Sequence, residues 1–571
     1  NATSSAYTFT SPTWTWEDDL SLHRGKHNVS LGVRVMRTYY RVRDNDVREA
    51  GSYTYSGQNT GTGLTDFMLG RPTAFEQQNR QFANIHATYF GAYFQDDIKL
   101  TPRLSVNLGL RYELPFAQVD EDGKETVFLP GSTAKSTVFK NAPAGLLFYG
   151  DPGISRSGRG TPKKQLGPRA GLSYALTADQ KTVLRAGYGL LYSPTWTNVE
   201  GQYINRQPWV SRFQVAVPFS TSDPWRNQPS FPTGNPFPVE PRDPNFVFRN
   251  AEIFSYLPNY VEPNSQHWNL NLQKELAHDY LITLAYVGTK GTHLLLRHDR
   301  NAATYLPGRS TLANLNDRRP FYQPLTIVEM VESGGNSSFH SGQISLDKRF
   351  SKGFSILTSY TFGKSIDTQA GGYTPFPQDP NDYSAERGPS SYDRTHAFVN
   401  SVVWDLPTPV EWTGLRRQVI GGWQVSGIVQ LYSGTPLGMA TSQDRALRGL
   451  TNRPDRLRAA SLDASRPRAE KISRYFDPTA YVANQTGLFG SAPRSDSRLR
   501  GPGSIDTNVS VSKQFRITER QKLLFRTEFF NIVNRPNFGN PGTNVDTPAT
   551  FGRINSAGDG RIIQFALKYM F

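Results

Sequence analysis

Amphipathic segments with a period of two recur in pairs along the chain, and the connections between them alternate between short and long. Within a pair, two segments of roughly 10–12 residues flank a short polar turn, and a long loop precedes the next pair. In an antiparallel sheet, this alternation places every short turn at one edge and every long loop at the other. The pattern therefore predicts an all-β fold with one large antiparallel sheet.

The segment at residues 104–113 shows the period most clearly, because leucine, valine and tyrosine alternate there with small, polar or charged residues. The connection at residues 407–420, in the sixth pair, is longer than the other turns. The seven predicted pairs cover residues 14–22 and 28–37, 88–99 and 104–113, 166–176 and 181–192, 266–276 and 280–287, 339–350 and 354–364, 395–406 and 421–431, and 504–515 and 522–533.

A last, unpaired strand is predicted at residues 561–571, where the even positions include Gln564 and Lys568. The odd positions form a continuous apolar and aromatic stripe, which is typical of a strand whose two faces meet different environments. The residues of this stripe are Ile563, Phe565, Leu567, Tyr569 and Phe571.

Composition indicates what lies against such stripes. Only 37% of the residues are hydrophobic, the mean hydropathy is −0.53, and no apolar run is long enough for a membrane-spanning helix. Aromatic residues are nevertheless abundant, at 12%, as in the aromatic belts of membrane barrels. The chain is therefore expected to be an antiparallel transmembrane β-barrel in the outer membrane of a Gram-negative bacterium, with short periplasmic turns and long extracellular loops.

The strand count predicts that this barrel is part of a larger one. Seven pairs and one strand make about fifteen strands, whereas bacterial single-chain barrels have an even number. We expect residues 1–571 to be a single β-barrel domain, truncated at the amino terminus, without a plug and without the first strands. A parent barrel of about 22 strands belongs to the class with a plugged lumen. The sheet is accordingly expected to be open or imperfectly closed.

Five charged residues in the predicted strands are expected to face the lumen. A charge on the lipid face at mid-membrane costs about 2–4 kcal/mol, so these side chains should point inward, toward water or a plug. They are Arg111, Glu113, Arg185, Arg526 and Glu528.

No catalytic, cofactor-binding or metal site is predicted, and the chain is not expected to be an enzyme. It has no cysteine, no Gly-x-Ser-x-Gly elbow and no phosphate-binding loop of the form Gly-x-x-x-x-Gly-Lys-Ser/Thr. Three groups of polar residues are weighed as ion sites, and solvated loops are favoured for all of them. These groups are His293, His298 and Asp299; residues 120–125; and Asp379, Asp382, Glu386 and Asp393.

The chain carries a net charge of +15. Nucleic-acid binding and a basic surface that faces anionic lipopolysaccharide both explain such a charge. The basic residues are dispersed, apart from a cluster at residues 445–474 in a predicted loop, so no nucleic-acid partner is predicted.

Several motifs resemble those of TonB-dependent outer-membrane receptors. The sequence Phe-Gln-Asp-Asp at 94–97, together with the strand at 104–113, is similar to the barrel of that family, and so is the stretch at 525–538. Residues 66–72 and 285–294 are most similar to its Oar-like branch. The resemblance extends from about residue 14 to residue 571, and it does not identify a ligand.

This resemblance implies a 22-stranded barrel with an amino-terminal plug, which takes up a substrate with energy from the TonB–ExbB–ExbD system. It also implies that the barrel-assembly machinery reads the terminal aromatic strand and that outer-membrane lipid and lipopolysaccharide surround the barrel. The sequence departs from the family pattern because it contains neither a plug-like segment nor a TonB box near Asn1.

Two other classes of protein remain open at this point. The first is a passive porin or a surface-adhesion barrel, which an upstream plug with a TonB box would exclude. The second is a soluble carbohydrate-binding β protein, which membrane fractionation would distinguish.

Overall fold

Fifteen long strands dominate the computed structural model. The structure describes residues 6–45, 49–193, 204, 206–215, 218, 220–229, 231–277, 279–321, 324–368, 376–450 and 452–571. In chain order, the strands are β1 (Thr13–Arg24), β2 (His27–Asn45), β3 (Gln81–Thr101), β4 (Leu104–Pro115), β5 (Gln165–Ala175), β6 (Thr182–Tyr192), β7 (Asn264–Ala277), β8 (Tyr280–Asp299), β9 (Leu325–Ser351), β10 (Phe354–Asp367), β11 (His396–Asp405), β12 (Trp423–Tyr432), β13 (Ser504–Arg516), β14 (Lys522–Phe530) and β15 (Ile562–Met570).

Each long strand pairs antiparallel with the next one in the chain, as in an up-and-down meander. All seven predicted pairs are confirmed, and the predicted terminal strand is β15. In the turn between β9 and β10, Lys352 and Gly353 both have positive φ, 51° and 76°. Two such residues in succession match the twist of a tight hairpin.

The edges of this meander are β1 and β15. Within the described residues, no ladder of hydrogen bonds joins these two strands. This agrees with the expected open sheet, while the 22-strand count of a parent barrel stays a prediction.

Four short strands extend the sheet to nineteen strands. Three of them are antiparallel to the long strand they join: Ala6–Thr10 pairs with β2, Val119–Asp120 with β3, and Gly388–Pro389 with β10. The fourth, Ala251–Tyr256, runs parallel to β9. Thus the sheet continues into the long loops instead of stopping where they begin.

Several long strands reach further toward the long loops than the sequence pattern predicted. The predicted segment at 339–350 begins at Leu325 in the structure, and the one at 280–287 ends at Asp299. The missed part of β9 contains Gly334, Gly335 and several polar residues, which interrupt the period of two. Pairing with β8 and with Ala251–Tyr256 holds this part in the sheet despite its composition.

Beyond the strands, the long loops fold into a layer with hydrophobic cores of its own, which we call the loop layer. Its largest cluster joins buried residues from two long loops and from β9. Phe148 is fully buried there, with its ring 4.6 Å from that of Phe139 and 6.0 Å from that of Trp209. The predicted description of these segments as irregular loops was therefore incomplete.

The remaining short elements belong to the loop layer, except for one helix, which lies on the short-turn side. The helices are α1 (Gly63–Met68), α2 (Gly414–Ile420, on the short-turn side) and α3 (Arg468–Ser473), with 3₁₀ turns at Asn316–Arg318, Tyr383–Glu386 and Pro478–Ala480. Ser52–Thr54, Ala74–Gln78 and Arg212–Val215 form one small sheet; Thr126–Phe128 pairs with Leu146–Phe148, Pro436–Leu437 with Asp496–Arg500, and Asp455–Arg456 with Tyr481–Val482. None of the described helices has the length and apolarity needed to cross a membrane.

Because the loop layer has a hydrophobic core of its own, we predict that it can be destabilised while the barrel stays folded. Replacement Phe148→Ala should weaken the layer by about 3–5 kcal/mol, because it removes a buried ring and leaves a cavity. Limited proteolysis should then cut the long loops faster, while the heat-modifiable mobility of the folded barrel in gel electrophoresis stays unchanged. The exposed Tyr392→Ala serves as the control and should change neither readout. Loss of heat-modifiable mobility in Phe148→Ala would show that the two parts fold together.

Candidate functional site

The strand register assigns every side chain of the long strands to one of two faces. We call the face with the odd-numbered residues of β15 the outer face, and the opposite one the inner face. Paired residues share a face, so Phe525, opposite Leu567, lies on the outer face. Following the pairs from strand to strand extends the assignment across the whole meander to Leu20 and Leu31 of β1 and β2.

The outer face is an exposed apolar and aromatic surface. Phe565 and Leu567 in β15 are 70% and 67% exposed, and similar residues follow on the other strands. Among them are Trp14, Trp16, Leu20, Leu31, Val33, Phe94, Leu110, Tyr188, Leu270, Leu284, Ile344 and Phe362. Such a continuous surface is what a lipid environment requires of a barrel wall.

All five charged residues that were predicted to face the lumen lie together on the inner face. Arg526 and Glu528 pair with Ala566 and Gln564, the even positions of β15, and their charged groups are 3.5 Å apart. Arg111 pairs with Tyr93 and Gly167, and Glu113 with Gly91 and Gln165; Arg185 pairs with Ser173 and Asn271. The orientation of this face toward a lumen stays a prediction.

Strands β1 to β4 carry hydrogen-bonded charges on the inner face. Glu113 accepts hydrogen bonds from the Tyr89 hydroxyl at 2.5 Å and from Nε of Arg111 at 2.9 Å. In the same region, Arg34 donates to Glu17 at 2.6 Å. Each carboxylate thus has a donor beside it, which lowers the cost of keeping charges on a sheet face.

Closer to the short turns, the inner face forms a trough of about 570 Å³. Its lining is rich in amides, with Asn107, Asn269 and Asn271 among the lining residues. Asn271 donates to Asn269 at 2.7 Å, and Arg185 at the side of the trough donates to Gln273 at 2.6 Å. An amide both donates and accepts hydrogen bonds, so this surface can pair with a polypeptide backbone as well as with water.

The residues at 293–299 do not form the solvated loop that was expected. They belong to β8, and His298 and Asp299 are only 3% and 1% exposed. Nδ1 of His298 lies 2.8 Å from Oε1 of Glu332 and 2.8 Å from the hydroxyl of Tyr383. The arrangement ties two neighbouring strands to the 3₁₀ turn at Tyr383–Glu386, so its role is in packing.

Buried carboxylates in this region are held by arginine and by backbone amides. Asp299 accepts from Nη1 of Arg319 at 3.1 Å and from the backbone N–H groups of Asn301 and Val328. Burial raises the pKa of Asp299 despite these bonds. For Glu332, burial also favours the neutral acid, but hydrogen bonds from His298 and Tyr383 outweigh it and hold its pKa below the ordinary value.

The prediction of solvated loops holds only in part for the two acidic segments, because several of their carboxylates are buried. Glu386 is buried and paired at 2.8 Å with Nη1 of Arg453, and Asp393 is buried and paired with Arg500. Asp120, at the start of the other segment, is fully buried as well. Among the described residues, no group of three or more histidines and carboxylates is placed to hold a metal ion.

A cavity of about 750 Å³ in the loop layer was missed by sequence reasoning. Its basic residues come from four separate segments of the chain, so no local motif marks it. They are Arg41, Arg80, Lys124 and Arg242, and Asp122 and Glu240 line the same cavity. The amide trough was not predicted either, although Asn269 and Asn271, at a spacing of two on β7, leave a local signal in the sequence.

Comparison with known proteins agrees with this geometry. Residues 1–564 match the outer membrane beta barrel domain family, and the chain belongs to that family. A protein of this family resides in the outer membrane of a Gram-negative bacterium, which overturns the soluble alternative. Comparison with curated proteins gives no significant match.

Solved structures with a similar fold include the outer membrane transporter YddB from Escherichia coli, with a TM-score of 0.54 and 10% identity over 99% of this chain and 55% of that one. Two others have TM-scores too low to support an argument. They are the ferripyoverdine receptor of Pseudomonas aeruginosa (0.48; 10% identity; 100% and 50% covered) and the ferric-catecholate import receptor Fiu from E. coli K12 (0.46; 11%; 98% and 54%). The chain thus spans about half the length of these structures.

The hydrogen bonds to Glu332 predict a pH dependence in the loop layer. Glu332 lies beyond the part of β9 predicted to cross the membrane. Because its pKa is lower in the folded state, its contribution to stability is present above its unfolded value, about 4.3, and is lost as the pH falls further. Proteolysis near residues 376–393 should accelerate severalfold between about pH 6 and about pH 3.

Replacement Glu332→Gln should flatten that profile, because the side chain then carries no titrating group. The exposed Asp463→Asn in another loop is the matched control and should keep the profile of the unmodified chain. Identical profiles for all three proteins would assign the acid sensitivity to other carboxylates.

The exposed stripe of β15 leads to a second prediction, for the assembly of the parent protein. Deletion of residues 569–571 should abolish its insertion into the outer membrane, because it removes the end of the aromatic stripe at the edge of the sheet. Surface immunoblotting of cells that express the truncated parent measures this. Deletion of the exposed loop residues 311–313 is the control and should leave surface levels normal. Normal levels for the 569–571 deletion would contradict the predicted role.

Proposed function

We propose that this chain is the barrel portion of an Oar-like TonB-dependent receptor, which takes up a substrate across the outer membrane. The observation that carries the proposal is the division of the sheet into an apolar outer face and an inner face of charges and amides. A passive wall needs only wettable side chains on its inner face. Paired charges and a trough of amides are instead suited to hold a folded polypeptide inside the barrel.

In the proposed protein, a plug in the parent chain occupies the inner face. The amide trough and the charges of β1 to β4 supply donors and acceptors across the face, so a plug can bind there without unpaired polar groups. The TonB–ExbB–ExbD system then acts on the plug to open a path. The fold likeness to the transporter YddB supports this arrangement at the level of architecture.

The loop layer is the proposed place of substrate recognition. Its own cores hold the long loops in one arrangement, and binding residues are commonly carried by loops on a rigid scaffold. The basic cavity at Arg41 and Arg242 has the size of a small-molecule site.

One observation favours the alternative of a surface-adhesion barrel. Helix α1 in the loop layer exposes Leu64, Phe67 and Met68, which are 71%, 61% and 76% accessible. Exposed apolar groups on a rigid loop suit contact with another surface. An upstream plug in the parent gene distinguishes the two functions, because an adhesin needs no gate.

Protection of the inner face by a plug is directly testable, since the chain contains no cysteine. A single Asn271→Cys variant of the parent protein should react severalfold more slowly with a water-soluble maleimide than the same variant without its plug. Leu312→Cys, exposed in the loop layer, is the matched control and should react equally in both proteins. Equal rates at position 271, or a parent gene that encodes no plug, would favour a passive porin or an adhesin.

A further inference from the structure

The connection between β11 and β12 differs from every other described connection on the short-turn side. The others span two to six residues, whereas residues 406–422 contain helix α2. Nothing in the meander requires a helix at this place, because β11 and β12 pair in regular register. The helix is therefore not needed for strand pairing, and we look for its role in contacts outside the sheet.

Helix α2 and the residues before it present an apolar stripe to the surroundings. Leu415 and Val419 lie four residues apart, so they share one side of the helix, and Trp412 lies two residues before the helix begins. Leu415 is 77% exposed, and the preceding Val410 is 90% exposed. The described part of the chain therefore leaves most of this stripe uncovered.

Basic residues flank the stripe. The guanidinium of Arg416 lies over the Trp412 ring, 4.5 Å from its centroid, and Arg417 follows on the adjoining side. Long basic side chains beside an apolar stripe can place their stems along apolar surface and their charges in a polar layer. This combination is typical of helices that lie in a membrane interface.

Two hydrogen bonds hold the end of the helix against the outer face of the sheet. Nε1 of Trp423 donates to the carbonyl of Val419 at 3.1 Å, and Nζ of Lys513 donates to the carbonyl of Gly421. Trp423 and Lys513 pair with each other on the outer face, and the Trp423 ring meets that of Phe525 edge-on at 6.3 Å. The helix is thus continuous with the apolar surface that faces lipid.

We propose that α2 is an interfacial anchor, which lies in the headgroup layer at the short-turn side and binds anionic phospholipid. Trp412, Leu415 and Val419 enter the boundary of the acyl chains, and Arg416 and Arg417 contact lipid phosphates. Tryptophan is favoured at this depth, and basic residues near the surface are attracted to anionic headgroups. The assignment to phospholipid rests on the proposed function, which places the short turns in the periplasm.

A nitroxide at position 415 tests the depth of the helix. The parent protein with Leu415→Cys is labelled and reconstituted into phospholipid vesicles, and collisions with oxygen, which enters lipid, and with a water-soluble nickel chelate are measured by EPR. Phe565→Cys on the outer face and Leu312→Cys in the loop layer give the lipid and water references. Heat-modifiable mobility confirms that each variant is folded.

The label at position 415 should report a depth between those two references. A value equal to that at position 312 would place the helix in water and overturn the proposal. Low accessibility to both reagents would show that a protein surface, either another chain or a second copy, covers the stripe, and would overturn it as well.

The two arginines are tested separately from the depth of the stripe. The label on the otherwise unmodified chain should move deeper when anionic phospholipid is added to zwitterionic vesicles. The double variant Arg416→Gln, Arg417→Gln should not respond, whereas Arg468→Gln in α3 of the loop layer should respond fully. An equal response of all three proteins would refute recognition of the anionic headgroup.

Failure of the anchor and failure of the proposed function give different results. A membrane-impermeant maleimide applied to intact cells should not reach the thiol of the Leu415→Cys variant, whichever environment the helix occupies in the periplasm. Labelling from outside the cell would show that the short turns face the exterior, and would then overturn both the orientation and the assignment to phospholipid.

Discussion

Backbone hydrogen bonding dominates the architecture of this protein. In lipid no water satisfies a free N–H or C=O group, so each membrane strand must pair along its length. The ladder meets that demand for β2 to β14, each of which pairs on both sides, and it also fixes the register. A slip by one residue would turn the outer-face side chains of a strand to the inner face and the inner-face side chains to the outer face.

The register explains how far the sequence alone predicted the fold. The strands β4 and β15 are two-faced over their full lengths, and the same physical demand that makes them so makes them visible as a period of two. The extension of β9 near Gly334 lies beyond the segment predicted to cross the membrane, where water and neighbouring loops relax the demand. There the period of two is lost although the strand continues, so the sequence pattern did not predict that β9 begins at Leu325.

The residues of the candidate site also divide into those whose placement the sequence predicted and those whose placement it did not. Arg111, Glu113, Arg185, Arg526 and Glu528 could be assigned to one face because a strand's parity is a local property of the sequence. The buried pairs His298–Glu332 and Glu386–Arg453 could not, because their partners come from separate segments. Because the partner of each such residue is distant in the sequence, the sequence alone suggests that the residue is exposed to water. Only the packing of the loops in the structure shows that it is buried.

The parallel pairing of Ala251–Tyr256 with β9 has a consequence for the order of assembly. This strand precedes β7 in the chain, yet its partner is made later, after β7 and β8. It cannot pair until β7, β8 and β9 have been made, and non-local pairing of this kind is slow. The part of the loop layer around Ala251–Tyr256 therefore cannot reach its final contacts until all three of these strands have been made.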